Sequence, residues 1–95
     1  MKLVSVTKSP KPEKKWRATF ESDSGSVKHT DFGAAGMDDF TITKDKEQRE
    51  RYRDRHEKDL ETNDPTRAGF LSYHLLWGQH PSLRKNLEEY RRRFF

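Results

Sequence analysis

The stretch PTRAGFLSYHLLWG, Pro65 to Gly78, decides how this chain folds. Its apolar residues Ala68, Phe70, Leu71, Leu75, Leu76 and Trp77 fall on almost every side of a helix. That pattern predicts a segment buried on several sides rather than one lying on a surface. Pro65 suits the first helical turn, where its missing N–H costs little. Gly78 supplies the stop, as a structural turn. Beyond it His80-Pro81 turns the chain, Ser82 caps, and a last helix follows. Leu83, Leu87, Tyr90 and Phe94 recur at i, i+4, i+7 and i+11, one face that should turn inward. Arg91, Arg92 and Arg93 crowd the end of that helix, where positive charge also complements the helix dipole.

Upstream, Asp45 to about Leu60 reads as a highly charged helix on the outside of the domain. Asp45 is its N-cap and Gln48 the capping-box partner. Glu47 with Arg51, and Asp54 with Lys58, stand four apart in the favourable orientation for ion pairs. Only Tyr52, His56 and Leu60 make an inward stripe. Thr62-Asn63-Asp64 links this helix to the buried one.

The first third reads as strands. Lys2–Thr7 alternates, Ser9-Pro10-Lys11-Pro12 breaks the pattern as an exposed extended loop, and Trp16–Glu21 alternates again with Trp16, Ala18 and Phe20 on one face. Asp23-Ser24-Gly25 is a turn signal, and Ser26–Asp31 reads as a third strand. Short connections favour an antiparallel meander. Residues 31–40 read as an irregular loop in which Gly33 and Gly36 permit positive φ and serve as structural turns. The expectation is therefore one small α+β domain over residues 1–95. An N-terminal antiparallel β-meander and glycine loop (1–40) precede about three α-helices (41–95). The expected core is Trp16, Phe20, Phe32, Phe40, Tyr52, Leu71, Leu75, Leu87 and Tyr90.

Composition bounds what such a domain does. Of 95 residues, 29% are hydrophobic and 38% charged, so the core is thin and the aromatic residues carry much of it. The formal charge of +4 suits an acidic partner or nucleic acid without demanding either. There is no cysteine, which excludes disulfides and thiolate metal sites and fits a reducing compartment. No apolar run approaches a membrane span, and the start MKLVSV does not resemble a signal peptide.

No catalytic constellation emerges. His29, His56, His74 and His80 fall in four different elements without paired metal-ligand spacing, and His56 and His74 read as half-buried. Asp31, Asp38 and Asp39 flank glycines, where Asp is favoured because it bonds nearby backbone. Asp31-Phe32-Gly33 matches the magnesium motif of protein kinases, but the other kinase motifs are missing. Gly33-x-x-Gly36 has the spacing of the KH-domain phosphate clamp, yet it encloses Ala34 and Ala35 among acids. The basic residues remain as candidates for partner binding: Lys14, Lys15 and Arg17 around Trp16, and Arg84, Arg91, Arg92 and Arg93 on the last helix. The alternating arginines 49, 51, 53 and 55 spread around their helix among acids, which reads as a solvated, salt-bridged surface.

The segments KHTDFGAAGMDDFT, RYRDRHEKDL, GFLSYHLLWG and PSLRKNLEEYRRRF, spread over residues 28–94, are together similar to a small family encoded by nucleocytoplasmic large DNA viruses of algae and amoebae. The resemblance implies a viral setting and brings no catalytic residue with it. Such viruses build large icosahedral shells with many minor proteins. It therefore implies a non-enzymatic virion component, a minor capsid protein cementing the inside of the shell, with viral capsid proteins as partners. The alternative is a small basic DNA- or RNA-binding protein. Neither reading involves a cofactor, a metal or a small-molecule substrate. Both place the chain in a reducing host-cell compartment before assembly.

Overall fold

A computed structural model describes all 95 residues. Strands β1 (Lys2–Lys8), β2 (Lys14–Glu21) and β3 (Val27–Ala34) form an antiparallel sheet in the order β1-β2-β3. The chain continues through a one-turn helix α1 (Phe40–Thr43) and the charged helix α2 (Lys46–His56), which tightens into a 3₁₀ segment, Glu57–Thr62. Helix α3 (Ala68–Leu71) widens without a break into a π-helical turn, Ser72–Leu76, and α4 (Leu83–Phe94) ends the fold. The α+β class, the meander and the three longer helical bodies agree with the sequence pattern. No helix is long and apolar enough to cross a membrane.

Alternation explains the sheet. Register pairs Leu3 with Phe20, Val6 with Ala18 and Trp16 with Phe32, so Leu3, Ala18, Phe20 and Phe32 are buried on one face. The other face carries polar cross-strand pairs, Arg17 with Asp31 and Thr19 with His29, the expected partners on a solvated face. Phe40, Phe70, Leu71, Leu75, Leu76, Trp77 and Tyr90 complete the core from the helical side. Full burial of a large apolar side chain is worth about 1.5–3 kcal/mol, so the three fully buried phenylalanines, Phe20, Phe32 and Phe40, carry much of a thin core. Trp16, Tyr52 and Leu87, expected inside, are half-buried and packed against it.

Several boundaries differ from the sequence reading. The third strand runs to Ala34, because the backbone of Gly33 at φ +79° continues the ladder and lets Leu76 pack close. Pro65 does not open α3; residues 65–67 turn first, and the helix begins at Ala68. The Pro65 carbonyl instead accepts from Tyr90 Oη at 2.6 Å. Gly78 is not left-handed. A Cβ there would lie 2.2 Å from the His74 carbonyl oxygen and 2.9 Å from the Asn86 side chain, so the position requires glycine for close approach. Residues 8–15 form an ordered turn, with Ser9 buried and its N–H donating to the Lys15 carbonyl at 3.1 Å.

Asp45 does cap α2, accepting from the N–H groups of Glu47 and Gln48. The capping box does not close. Thr43 Oγ1 accepts from the Asp45 N–H and donates to Gln48 Oε1, taking the place Gln48 was expected to fill. Neither the Glu47–Arg51 nor the Asp54–Lys58 pair forms. Arg49 pairs with the adjacent Glu50 instead.

Candidate interaction sites

Two basic regions survive from the sequence, and the fold treats their residues unequally. On the sheet, Arg17 is not free for a partner. Its Nε and Nη2 make a two-pronged contact to Asp31 at 2.9 and 3.0 Å. Ser9 Oγ donates to the same carboxylate, and Lys11 stands 3.7 Å away. The guanidinium beside it, helped by Ser9, holds the Asp31 carboxyl down at about 2. Lys15 is likewise consumed. Its Nζ lies 2.6 Å from Asp39, a carboxylate 1% exposed that also caps α1 by accepting from the Thr41 N–H and hydroxyl. Two of the three acids near the glycines are thus structural partners of basic residues on β2.

Lys8 and Lys14 have no carboxylate partner. Together with Lys11, Lys15 and Trp16 they line a cleft of about 380 Å³ between the β1–β2 turn and α1. Gly36, at φ +81° with open space beside it, and Ile42, 58% exposed, form the opposite wall. The cleft sets four ammonium groups against one carboxylate, Asp39. The sequence alone points to Lys14, Lys15 and Trp16 but not to Lys8, Lys11 or Ile42, which only the fold gathers around the same cleft.

On α4, Ser82 Oγ accepts from the Lys85 N–H and starts the helix as expected. Leu83, Leu87 and Phe94 are half-buried and Tyr90 buried, so the inward stripe forms. Arg84, Arg92 and Arg93 are exposed and make no ion pair. The Arg93 guanidinium lies 5.1 Å from the Phe94 ring centroid. Arg91, expected to be free, is not. Its Nε donates to the Leu3 carbonyl at 3.1 Å and its Nη2 to the Val4 carbonyl at 3.0 Å, tying α4 to the outer edge of β1. The cause is the position of Leu3 and Val4, where the β1–β2 register shifts and the β1 edge is left bare.

The arginines of α2 also have inward roles. Arg53 lies over Tyr73, 4.3 Å from the ring centroid, and donates to the Trp77 carbonyl at 2.6 Å. Arg49 lies over Phe40 and reaches the carbonyls of Gly78 and Gln79 at 3.4 Å. These carbonyls follow the end of a helix, where intrahelical partners run out. Arg51 and Arg55 are exposed, so half of the alternating series fits a solvated surface and half does not.

The four histidines occupy separate surroundings. His29 bonds Thr19, His56 stacks on Tyr52 and meets Asp59, and His80 bonds Glu89 at 2.8 Å. His74 sits among Phe70, Tyr73, Tyr90 and Phe94. Burial first, then repulsion from Arg93 and Arg53, pulls it down to about 4, so it is neutral at physiological pH. No three His, Asp or Glu side chains converge in metal-binding geometry. Gly33 packs beside Lys15, whose ammonium group is taken by Asp39, whereas Gly36 lines the lysine cleft. Both have positive φ, but only Gly36 sits in a turn; Gly33, expected to be a turn, lies within β3.

Comparison with curated proteins and with solved structures finds no match. Residues 4–56, from β1 through the glycine turns to the end of α2, match a described protein family. Because that match covers more than half of the chain, the protein belongs to the family of unknown function DUF5754.

Proposed function

We propose that this protein is a non-enzymatic structural component of a large DNA virus particle, a minor capsid protein cementing the inside of the shell. The viral setting is what the sequence resemblance implies. The observation that carries a binding role is the asymmetry of the terminal arginines. Arg91 is bonded to β1, while Arg92 and Arg93 on the same turn are exposed and without ion pairs. Holding Arg91 fixes the helix end, so its two neighbours are presented at small entropic cost. Rigid guanidinium groups favour carboxylate partners through paired hydrogen bonds, which suits an acidic face of a neighbouring capsid protein. An interfacial arginine can be worth about 2 kcal/mol or more when desolvated, against about 0–1 for an exposed pair. Side chains of the kind used in acid–base chemistry, Asp31 and Asp39, are bound to cations and hydroxyls within the fold, which supports an interaction module.

The test is quantitative mass spectrometry of purified particles with shell and core fractions separated. The reading expects the chain in the shell fraction in many copies per particle. It also expects incorporation to fall when Arg92 and Arg93 are both changed to Ala, with the isolated domain still folded. Absence from particles would overturn the reading. Recovery with the genome-containing core instead would favour the nucleic-acid alternative.

A further inference from the structure

We propose that the cleft between the β1–β2 turn and α1 binds single-stranded nucleic acid, with Lys8, Lys11 and Lys14 holding backbone phosphates and a base resting against Trp16. This is independent of the capsid reading, because the cleft contains none of the α4 arginines.

Three features point to this ligand class. The first is charge. Four lysines line the cleft, only Asp39 opposes them, and Lys15 already neutralises Asp39 at 2.6 Å. Lys8 and Lys14 keep unpaired ammonium groups, and Lys11 has only a distant partner, Asp31 at 3.7 Å. Ammonium groups on flexible stems act as point charges for phosphate oxygens. The second is the apolar surface between those charges. Trp16 is packed on one side against the core and lines the cleft on the other, so its ring is already fixed in place. Exposed Ile42 stands across from it. Aromatic side chains accept any base by stacking, worth about 1–3 kcal/mol per base. An acidic peptide would satisfy the lysines but leave this apolar wall uncovered. The third is size. A cleft of about 380 Å³ lies within the range that suits one small ligand group, roughly 300–1,000 Å³. A duplex keeps its bases stacked inside and offers none to Trp16.

The test is titration of the full chain with oligothymidylate at low salt, followed by tryptophan fluorescence and by anisotropy of a labelled strand. The chain has two tryptophans. Trp77 is 7% exposed and stacked on Tyr52, so quenching by the strand should report Trp16. We expect binding accompanied by quenching that disappears in Trp16→Phe. Single-strand affinity should fall with salt at a slope of about −0.7 per phosphate contact, giving a slope of about −2 for three lysines. Lys8→Glu with Lys14→Glu should lower affinity at least about tenfold and flatten the slope by about 1.4. Both residues lie outside the core, and circular dichroism will establish that the double variant is folded. Arg92→Ala with Arg93→Ala should leave strand binding unchanged. No binding at low salt would overturn the proposal. So would unchanged binding in the Lys8/Lys14 double variant, or a polyglutamate peptide displacing the strand with equal affinity.

Discussion

Asn86 reaches from α4 to the preceding helix, its Nδ2 donating to the Leu75 carbonyl at 3.0 Å. The same amide donates to the His80 carbonyl at 2.7 Å, and its Oδ1 accepts from the His80 N–H at 3.0 Å. One buried side chain, 2% exposed, thus satisfies three backbone groups where the π-helical turn runs out. A π turn shifts the hydrogen-bond ladder by one residue, as the Trp77 N–H donating to the Ser72 carbonyl shows. The carbonyls after it then need partners from outside the helix. Asn86 supplies them for Leu75 and His80, as Arg53 and Arg49 do for Trp77, Gly78 and Gln79 in between.

Asn86→Ala should therefore destabilise the domain well beyond a surface substitution. Each buried group left without a partner costs about 1–3 kcal/mol, and three are exposed to that loss. Asn86→Asp should be no better at neutral pH, because a carboxylate would face two carbonyl oxygens. Urea unfolding of the two variants checks this. A loss below about 0.5 kcal/mol, the usual size for a surface change, would show that water replaces the amide freely.

The glycines should rank by what surrounds them. Gly36→Ala meets open space and carries only the positive φ, a cost of about 1 kcal/mol. Gly33→Ala adds a contact 2.8 Å from Leu76 Cδ1, which a flexible side chain can partly relieve. Gly78→Ala meets the His74 carbonyl oxygen at 2.2 Å. Backbone cannot yield there without opening the π turn, so the cost should reach about 3 kcal/mol or more. Thermal unfolding of the three single variants gives the order directly, and equal effects would refute the packing argument at Gly78.

The parts of this fold legible in the sequence are those governed by periodicity. Trp16, Ala18 and Phe20 alternate and pair as a strand should. Leu83, Leu87, Tyr90 and Phe94 make one helical face, and Asp45 and Ser82 cap where their positions indicate. What was not legible depends on residues meeting across the fold. Asn86 and Arg53 look like ordinary polar surface positions, because nothing nearby in the chain reveals the free carbonyls they serve. Arg91 differs from Arg92 and Arg93 only through the bare edge of β1, about ninety residues earlier in the chain. The lysine cleft has a local sequence trace in Lys14, Lys15 and Trp16, but its far wall comes from α1.

Acid should destabilise the domain in two windows. His74 is held near 4 against an ordinary value near 6.5, chiefly by burial and then by Arg93 and Arg53. Its depressed value means the unfolded chain takes up the proton first. Its contribution is therefore complete above about pH 6.5 and is lost progressively as pH falls toward 4. Asp31 is held at about 2 against 3.8, chiefly by Arg17. Its contribution is present above 3.8 and is lost as pH falls through 2. His74→Gln should flatten the first window and Asp31→Asn the second. Urea midpoints followed from neutral to strongly acidic pH separate them. A wild-type profile that is flat between pH 6.5 and 4 would show that His74 is solvated.

The final prediction concerns Arg91, whose guanidinium bridges the Leu3 and Val4 carbonyls on the outer edge of β1. An edge strand with free carbonyls is a template for pairing with another chain. Val4 beside them is 45% exposed, which makes the edge adhesive as well as bare. Arg91 thus joins the last helix to the first strand and blocks that edge. Removing it should do two things that removing Arg92 or Arg93 does not. Charge-assisted hydrogen bonds are worth about 1.5–3 kcal/mol each at most, and partial exposure lowers this, so Arg91→Ala should cost about 1–2 kcal/mol in all. The bared edge should also promote self-association that rises with protein concentration. Arg92→Ala and Arg93→Ala should change neither property, since neither side chain makes an ion pair or a backbone bond. Denaturation curves and sedimentation velocity on the three variants decide the matter. If all three behave alike, the Arg91 bridge contributes nothing that water would not supply, and another contact, such as Phe95 against Phe20 with ring centroids 5.6 Å apart, must hold α4 to the sheet.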